Sequence, residues 1–376
     1  WIEAGNMTCP ITNQVLRSLE PIPNHTIRKM IQDWCVENSS YGIQRIPTPR
    51  IPVSSIEVSD FLSRINTACK KNDRHGCRDL VAKIKTLCKE SERNRKCIIS
   101  NGTGRVLAEV FEVFSLRTDE NAVVLKEILS TLTTMFPLDG EARARLGSPS
   151  SLHSMVWFLK SGDLSERRNA VLLIKEVVSS DGRKAEALSK IEGAMEGLVQ
   201  LIKEPICPTA TKASLIIIYS MIKSSSSEKI ISRFADMGLV SLLVETLVEA
   251  ERSICEKAMA VIDGLCSSER GREEAYNNAL TMPVLVKKIL RVSDLATEVS
   301  VSILWKLCKN EKRENGGVLV EAVQVGAFQK LLLLLQVGCG ERTKEKVTEL
   351  LKLLNLHRDR LECIDSMDFK NLKRPF

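Results

Sequence analysis

The most constraining feature of this sequence is a helical pattern that recurs about every 45 residues. Five segments open with glycine or proline and continue as an apolar helix, and their openers stand 44, 45, 45 and 43 residues apart. The openers are Pro149, Gly193, Gly238, Pro283 and Gly326. Each is followed by a polar break and a second helical segment. Glycine at three of the openers suits a sharp turn in which φ is positive.

One such pair of helices cannot bury both of its apolar faces, whereas stacked neighbours share one continuous core. A helical period near 45 residues is typical of the armadillo and HEAT repeats. We therefore predict an all-α fold, an armadillo-repeat right-handed α-solenoid. Five repeats are clear from residue 148 onward, and two weaker ones are predicted over 58–100 and 101–147.

Composition argues against several other classes of protein. The 376 residues are 44% hydrophobic and 27% charged, and the formal net charge of +7 is mild for a dedicated nucleic-acid binder. Apolar runs stay well below the roughly 18 residues that a membrane span needs. The sequence contains no phosphate-loop, serine-hydrolase or zinc-protease motif.

The 12 cysteines stand singly, without the paired spacing of a zinc site. Cys255, Cys266 and Cys308 fall within helical apolar patterns, which indicates buried reduced thiols. This usage favours a reducing compartment, so we expect a cytoplasmic protein without a bound metal or cofactor. A catalytic Cys–His pair is disfavoured, because the sequence has only four histidines and no signature of such a family.

The N-terminal part of the chain differs from the repeats. Residues 1–40 form a separate unit, residues 41–57 a proline-rich linker, and residues 58–370 the armadillo-repeat solenoid with about seven repeats. The linker is predicted to be extended, because its prolines at 47, 49 and 52 fix φ and lack a backbone donor.

An amphipathic helix is predicted within the first unit. Asn24 is a plausible N-cap, and Ile27, Met30, Ile31 and Trp34 then fall on one apolar stripe. Too little chain precedes the stripe to pack against it. We therefore interpret residues 1–40 as the second half of a small domain.

Short motifs in the first 50 residues resemble those of a known family. The motifs are Trp1 at a helix end, Thr8-Cys9-Pro10, Pro23-Asn24-His25-Thr26, Ile31-Gln32-Asp33-Trp34-Cys35 and Arg45-Ile46-Pro47-Thr48-Pro49-Arg50. They resemble the C-terminal half of a U-box and the linker behind it in the plant U-box/armadillo-repeat E3 ubiquitin ligases of stress and immune signalling. The first half of the U-box has no counterpart here. We therefore expect the full-length protein to be an active ligase and this chain to be inactive.

The resemblance implies a ubiquitin ligase that uses neither zinc nor covalent catalysis. A U-box docks a ubiquitin-charged E2 enzyme, and the family's docking residues correspond to Trp1 and Pro10. The ligase would hold the E2 thioester near a lysine of a substrate that the array captures. Each residue also has a structural interpretation, Trp1 as a core residue and Pro10 as the residue that shapes its loop.

The inner face of an armadillo array is built by the second long helix of each repeat. Rough alignment places Glu176, Ser220, Gly264 and Lys306 at equivalent inner positions. This differs from the asparagine ladder with paired tryptophans of the nuclear-import adaptors that share the fold.

Trp305 is the only tryptophan on these inner helices, and we interpret it as a packing residue rather than a ligand platform. We predict that a protein substrate binds the inner face between about residues 100 and 350. Lys306 and Lys309 are the predicted substrate contacts.

The main alternative function is a non-enzymatic scaffold whose armadillo array binds partner peptides. Nucleic-acid binding would rest on short basic runs such as Lys70-Lys71 and Arg167-Arg168. These runs lack interleaved aromatics and are better explained as solvated helix faces. Lipid binding by the same runs has no amphipathic anchor to support it.

Overall fold

The computed structural model describes residues 6–17, 24–43, 52–179, 181–224, 227–311 and 317–356. The chain divides into two compact units, Trp1–Pro52 and Val53–Phe376. Trp1, most of the predicted linker and residues 357–376 lie outside the described residues.

A tight loop in the first unit carries Pro10. The Cys9 amide donates to the Gln14 carbonyl oxygen at 2.8 Å, and the Asn13 amide donates back to the Cys9 carbonyl oxygen at 2.9 Å. Thr8 and Val15 form an isolated antiparallel bridge. These contacts present Pro10 as an exposed residue of the loop.

The first helix, α1, spans His25–Glu37. The Asn24 side chain accepts a hydrogen bond from the Ile27 amide at 3.0 Å, which confirms the predicted N-cap. The predicted stripe lies on this helix and is exposed to solvent, with Met30 at 66% and Trp34 at 53% of full exposure. The helix therefore leaves an apolar face uncovered.

The described part of the second unit is helical, and its helices form three rows. The first row is short: α4 Glu92–Ser100, α7 Gly140–Leu146, α10 Gly182–Ser189, α13 Ser227–Asp236, α16 Glu269–Asn277 and α19 Gly317–Gln324. The second row is α2 Ser55–Lys70, α5 Thr103–Phe114, α8 Pro149–Ser161, α11 Ala194–Lys203, α14 Leu239–Glu249, α17 Thr281–Lys288 and α20 Ala327–Val337. The third row is α3 Arg74–Glu90, α6 Thr118–Leu132, α9 Leu164–Val178, α12 Pro208–Ile222, α15 Arg252–Leu265, α18 Asp294–Lys309 and α21 Glu341–Asn355.

Each repeat ends with one third-row helix, so we number the repeats from α3 to α21. The second and third rows are the two helices that the sequence pattern predicts for each repeat. The short first-row helices are an addition that the pattern missed. They have only seven to ten residues and are often polar, as in α16, so they bear little apolar periodicity.

Glycine makes the turn between the first and second helix in four of the described repeats, including the one at Gly102, where φ is 72°. Gly193, Gly238 and Gly326 have φ values of 81°, 73° and 83°, which confirms the predicted left-handed turn. A side chain at Gly193 would also collide with Lys160.

The three rows enclose a continuous apolar core made largely of leucine, isoleucine, valine and alanine. Cys255, Cys266 and Cys308 belong to it with at most 4% exposure, which confirms that they act as small core residues. All the described cysteines are free thiols. Among the described helices, none crosses a membrane by itself on grounds of length and hydropathy, although the pair α19 and α20, bent by 65°, would qualify together.

Candidate interaction surface on the third helices

The third helices pack side by side in chain order and share one solvent-facing side, which we call the third-helix face. Their buried positions repeat along the row, because each helix covers its neighbour with the same side. Matching these buried positions between helices aligns Glu176, Ser220, Gly264 and Lys306, in agreement with the sequence alignment. One position earlier, Lys175, Tyr219, Asp263 and Trp305 are equivalent.

Lys306 links two neighbouring third helices. Its Nζ lies 2.8 Å from Asp263 Oδ1 on α15 and donates to the Asp263 carbonyl oxygen at 2.6 Å. It also lies 3.0 Å from Ser267 Oγ. Only 18% of the Lys306 side chain is exposed, so its charge is largely satisfied within the protein.

Trp305 lies in a polar cluster between α18 and α21. Its indole Nε1 donates to Glu349 Oε2 at 2.6 Å, and Lys309 Nζ lies 2.9 Å from Glu349 Oε1. The Lys309 ammonium also sits 4.5 Å from the centre of the indole ring. The ring is partly buried against the core, which supports the interpretation of Trp305 as a packing residue.

Hydrogen bonds control the charge of Glu349 in this cluster. The Lys309 ammonium, followed by the Trp305 indole, lowers the pKa of the Glu349 carboxyl because both donate to its ionised form. Lys346 donates to Ser302 Oγ at 2.7 Å and lies 5.6 Å from the indole ring. Lys309 keeps 47% of its side chain exposed, so it remains accessible to a partner.

The centre of the face presents an aromatic residue that the sequence analysis did not single out. Tyr219 on α12 is 39% exposed, and Lys223 Nζ lies 5.6 Å from the centre of its ring. An alignment shifted by one position would have found it, because Tyr219 is equivalent to Trp305. A half-exposed tyrosine beside a lysine is a suitable anchor for a polar peptide.

Toward the N-terminal end of the array, charged side chains again form ion pairs between neighbouring helices. Lys126 on α6 lies 2.8 Å from Asp163 Oδ2 and 2.7 Å from Glu166 Oε1, and these contacts raise the pKa of its ammonium group. Lys85 on α3 pairs with Glu127 at 3.1 Å. The free cations of the face are therefore fewer than its sequence suggests.

The described residues include charged and aromatic side chains that can bind a partner, such as Lys309 and Tyr219. Among the described residues, no cluster of three or more His, Cys, Asp and Glu side chains could hold a metal ion. Burial raises the pKa of the Cys266 and Cys308 thiols to about 12, so these thiols are protonated at neutral pH. Pro10 belongs to the other compact unit, and Trp1 lies outside the described residues.

Comparison with known proteins adds to this geometry. A family model described as the plant U-box protein ARM repeat region matches residues 57–374. U-box domain-containing protein 21 of Arabidopsis thaliana is 47% identical over all of this chain and 86% of its own length. E3 ubiquitin-protein ligase PUB23 of the same plant is 30% identical over 94% of this chain and 84% of its own length.

Solved structures resemble the repeat array. A designed armadillo repeat protein superposes with a TM-score of 0.53 at 19% identity, over 65% of this chain and 98% of the designed chain. At this identity the likeness concerns the fold, and it confirms the predicted armadillo-repeat architecture.

Proposed function

This chain belongs to the plant U-box proteins with an ARM repeat region, and on that premise we propose that the full-length protein acts in ubiquitin transfer as an E3 ubiquitin-protein ligase. The observation that carries the proposal is the family match over residues 57–374, together with a relative that is named as such a ligase. We also propose a role in plant stress and defence, which rests on the resemblance of the N-terminal motifs, and a cytoplasmic location, which rests on the free cysteines.

The proposed reaction takes place on the E2 enzyme. The amine of a substrate lysine attacks the thioester carbonyl between ubiquitin and the E2 cysteine, an isopeptide bond forms, and the E2 thiolate leaves. The ligase contributes by holding the two reactants together, which converts a bimolecular step into an effectively unimolecular one. No metal or cofactor is required for this step.

We propose that Trp1 and Pro10 contact the E2 enzyme. Pro10 is supported by its position in a loop closed by the Thr8–Val15 bridge, where it is exposed and its φ is fixed. The proposed contact of Trp1 with the E2 enzyme rests on the resemblance alone. A preformed loop loses little conformational entropy on binding.

Direct binding tests this part of the proposal. A ubiquitin-loaded E2, in which a stable amide replaces the thioester, is titrated against the wild-type chain, Pro10→Ala and the matched control Pro52→Ala. We expect Pro10→Ala to weaken binding about tenfold and the control to leave it unchanged. If the wild-type chain does not bind the loaded E2 at all, the proposed E2 contact through Pro10 is wrong.

We propose that substrates are captured on the third-helix face, with Lys309 and Lys306 among the contacts. Lys309 is exposed and adjacent to Trp305, whereas Lys306 is engaged with Asp263, so a change at Lys306 also disturbs packing. Tyr219 and Lys223 extend the same surface toward the middle of the array.

Lys309→Glu is the cleaner test of substrate capture. Ubiquitinated peptides are quantified in plant cells that express the full-length protein as the wild type, with Lys309→Glu, or with Lys229→Glu at an exposed lysine on α13. We expect Lys309→Glu to lower ubiquitination of a subset of proteins while autoubiquitination is retained. Equal profiles for the three proteins would contradict this placement.

The second candidate function is a non-enzymatic scaffold. It is favoured by the same third-helix face, which can bind a partner without any E2 contact. The two functions differ in the E2 titration, because a scaffold binds its partner peptides but not the loaded E2.

A further inference from the structure

An open groove of about 660 Å³ lies at the edge of the array where second helices turn into third helices. It separates the connection between α11 and α12 from the C-terminal end of α14. We call it the edge groove, and its apolar lining includes Pro205, Ile206, Leu242, Val248 and Ile254. Its volume falls within the range of about 300–1,000 Å³ that is usual for ligand-binding pockets.

One wall of the edge groove is formed by a connection between two helices that is longer than its counterparts in the neighbouring repeats. Residues 204–207 join α11 to α12, whereas two residues suffice at Gly162-Asp163 and Ala250-Glu251 in the preceding and following repeats. Pro205 and Pro208 fix φ at two positions of this wall. The wall is therefore largely preformed, and little conformational entropy is lost when a ligand binds against it.

The floor of the groove leaves apolar surface in contact with water. Val248 is 49% exposed, and Leu242, Ala250 and Ile254 are partly buried against the core. A ligand with an apolar side chain would cover this surface favourably.

The rim of the groove carries two acidic residues, Glu245 and Glu249, and one basic residue, Lys203, so its net charge is negative in a protein whose net charge is +7. Glu245 and Glu249 are exposed one turn apart on α14, and neither forms an ion pair among the described residues. Like charges at this spacing repel, and the C-terminal end of a helix disfavours an acidic side chain. The last turn of α14 contains no basic residue, whereas α11 and α8 carry Lys203 and Lys160 there.

We propose that the edge groove binds a protein segment in which apolar side chains are flanked by lysine or arginine. The apolar side chains would enter between Ile206 and Val248, and the cations would pair with Glu245 and Glu249. The acid pair, unfavourable within the free protein, would then be neutralised by the partner. The groove is distinct from the third-helix face and needs no ubiquitin transfer, so this inference goes beyond the proposed function.

Fluorescence polarisation with synthetic peptides tests the proposal. The probe is a labelled decapeptide of leucine and arginine, and its two counterparts replace either every arginine by glutamate or every leucine by serine. We expect the probe to bind the wild-type chain at least about tenfold more tightly than either counterpart, and its affinity to fall as salt is raised.

Variants locate the binding. Glu245→Lys/Glu249→Lys should weaken binding of the probe about tenfold, and Val248→Ser should weaken it several-fold. The control Glu192→Lys/Glu228→Lys changes net charge equally at exposed acids outside the groove and should leave affinity within about twofold. Circular dichroism melting checks that each variant is folded.

Three results would overturn the proposal. The serine counterpart could bind as tightly as the probe, which would indicate charge attraction alone. The control double variant could weaken binding as much as the groove variant. Sedimentation could also show that the wild type self-associates through the groove and that Glu245→Lys/Glu249→Lys abolishes it, which would make a second copy of the chain the occupant.

Discussion

At the scale of single residues, many charged side chains of the third-helix face are paired with one another. Lys306 reaches from α18 to α15 and contacts both the carboxylate and the carbonyl oxygen of Asp263. The Lys309 ammonium group contacts both the Glu349 carboxylate and the Trp305 ring. A lysine on a groove is thus either a contact for a partner or a link between repeats, and its distance to the nearest acid distinguishes the two.

Replacement of Lys306 measures its structural role. Lys306→Ala leaves the partly buried Asp263 without its cation, so we expect it to lower the free energy of unfolding by about 1–3 kcal/mol. The matched control Lys352→Ala removes an exposed lysine and should change stability by at most about 0.5 kcal/mol. Urea denaturation measures both, and equal stability of the two variants would refute a linking role for Lys306.

At the scale of helices, one repeat supplies the cap for a helix that lacks its own. Gly238 precedes α14 with positive φ and without a side-chain cap. The Glu274 carboxylate of α16 instead accepts from the Ser241 amide at 3.0 Å. Burial raises the pKa of Glu274, since desolvation of its charged form outweighs the hydrogen bonds to Ser241 and Val240.

The raised pKa has a defined consequence for pH dependence. A native state that binds the Glu274 proton more tightly than the unfolded chain is favoured at low pH, and this advantage is lost as pH rises from about 4.3 through the folded pKa. Glu274→Gln keeps an acceptor for Ser241 but cannot ionise. We therefore expect the wild type to lose stability relative to Glu274→Gln as pH rises through this window.

Thermal unfolding of both proteins between pH 4 and pH 8 measures the effect. Glu273→Gln, an exposed neighbour on α16, is the control and should show no such trend. A difference between the wild type and Glu274→Gln that is independent of pH would contradict the direction of the Glu274 shift.

At the scale of the whole array, stability is shared between neighbouring repeats rather than concentrated in one centre. Ile218 on α12 is fully buried in the fourth repeat, and Leu350 on α21 is buried in the last one. Both belong to the continuous core, but a repeat in the middle has neighbours on two sides.

Core truncations should therefore differ by position along the array. Ile218→Ala is expected to cost about 2–5 kcal/mol and to lower hydrogen-exchange protection in the repeats on both sides of α12. Leu350→Ala should lower protection mainly in α20 and α21. Mass spectrometry of exchanged peptides resolves the two patterns, and the same loss throughout the array in both variants would contradict nearest-neighbour coupling.

The sequence by itself determined the period, the helical class, the glycine turns at Gly193 and Gly238, and the burial of Cys266. These features depend on residues close in the chain, whose apolar spacing and backbone preferences act locally. The alignment of Glu176 with Lys306 followed from the same period. The short first-row helices escaped prediction because they are brief and often polar.

Only the tertiary structure decided which charged residues of the third-helix face remain available. Asp263 and Lys306 are 43 positions apart, and Trp305 meets Glu349 over 44 positions. Such pairs depend on the exact offset between stacked helices, which periodicity leaves uncertain by about one position. The edge groove is likewise a property of stacking, because residues 204–207 become a wall only when the next repeat packs beside them.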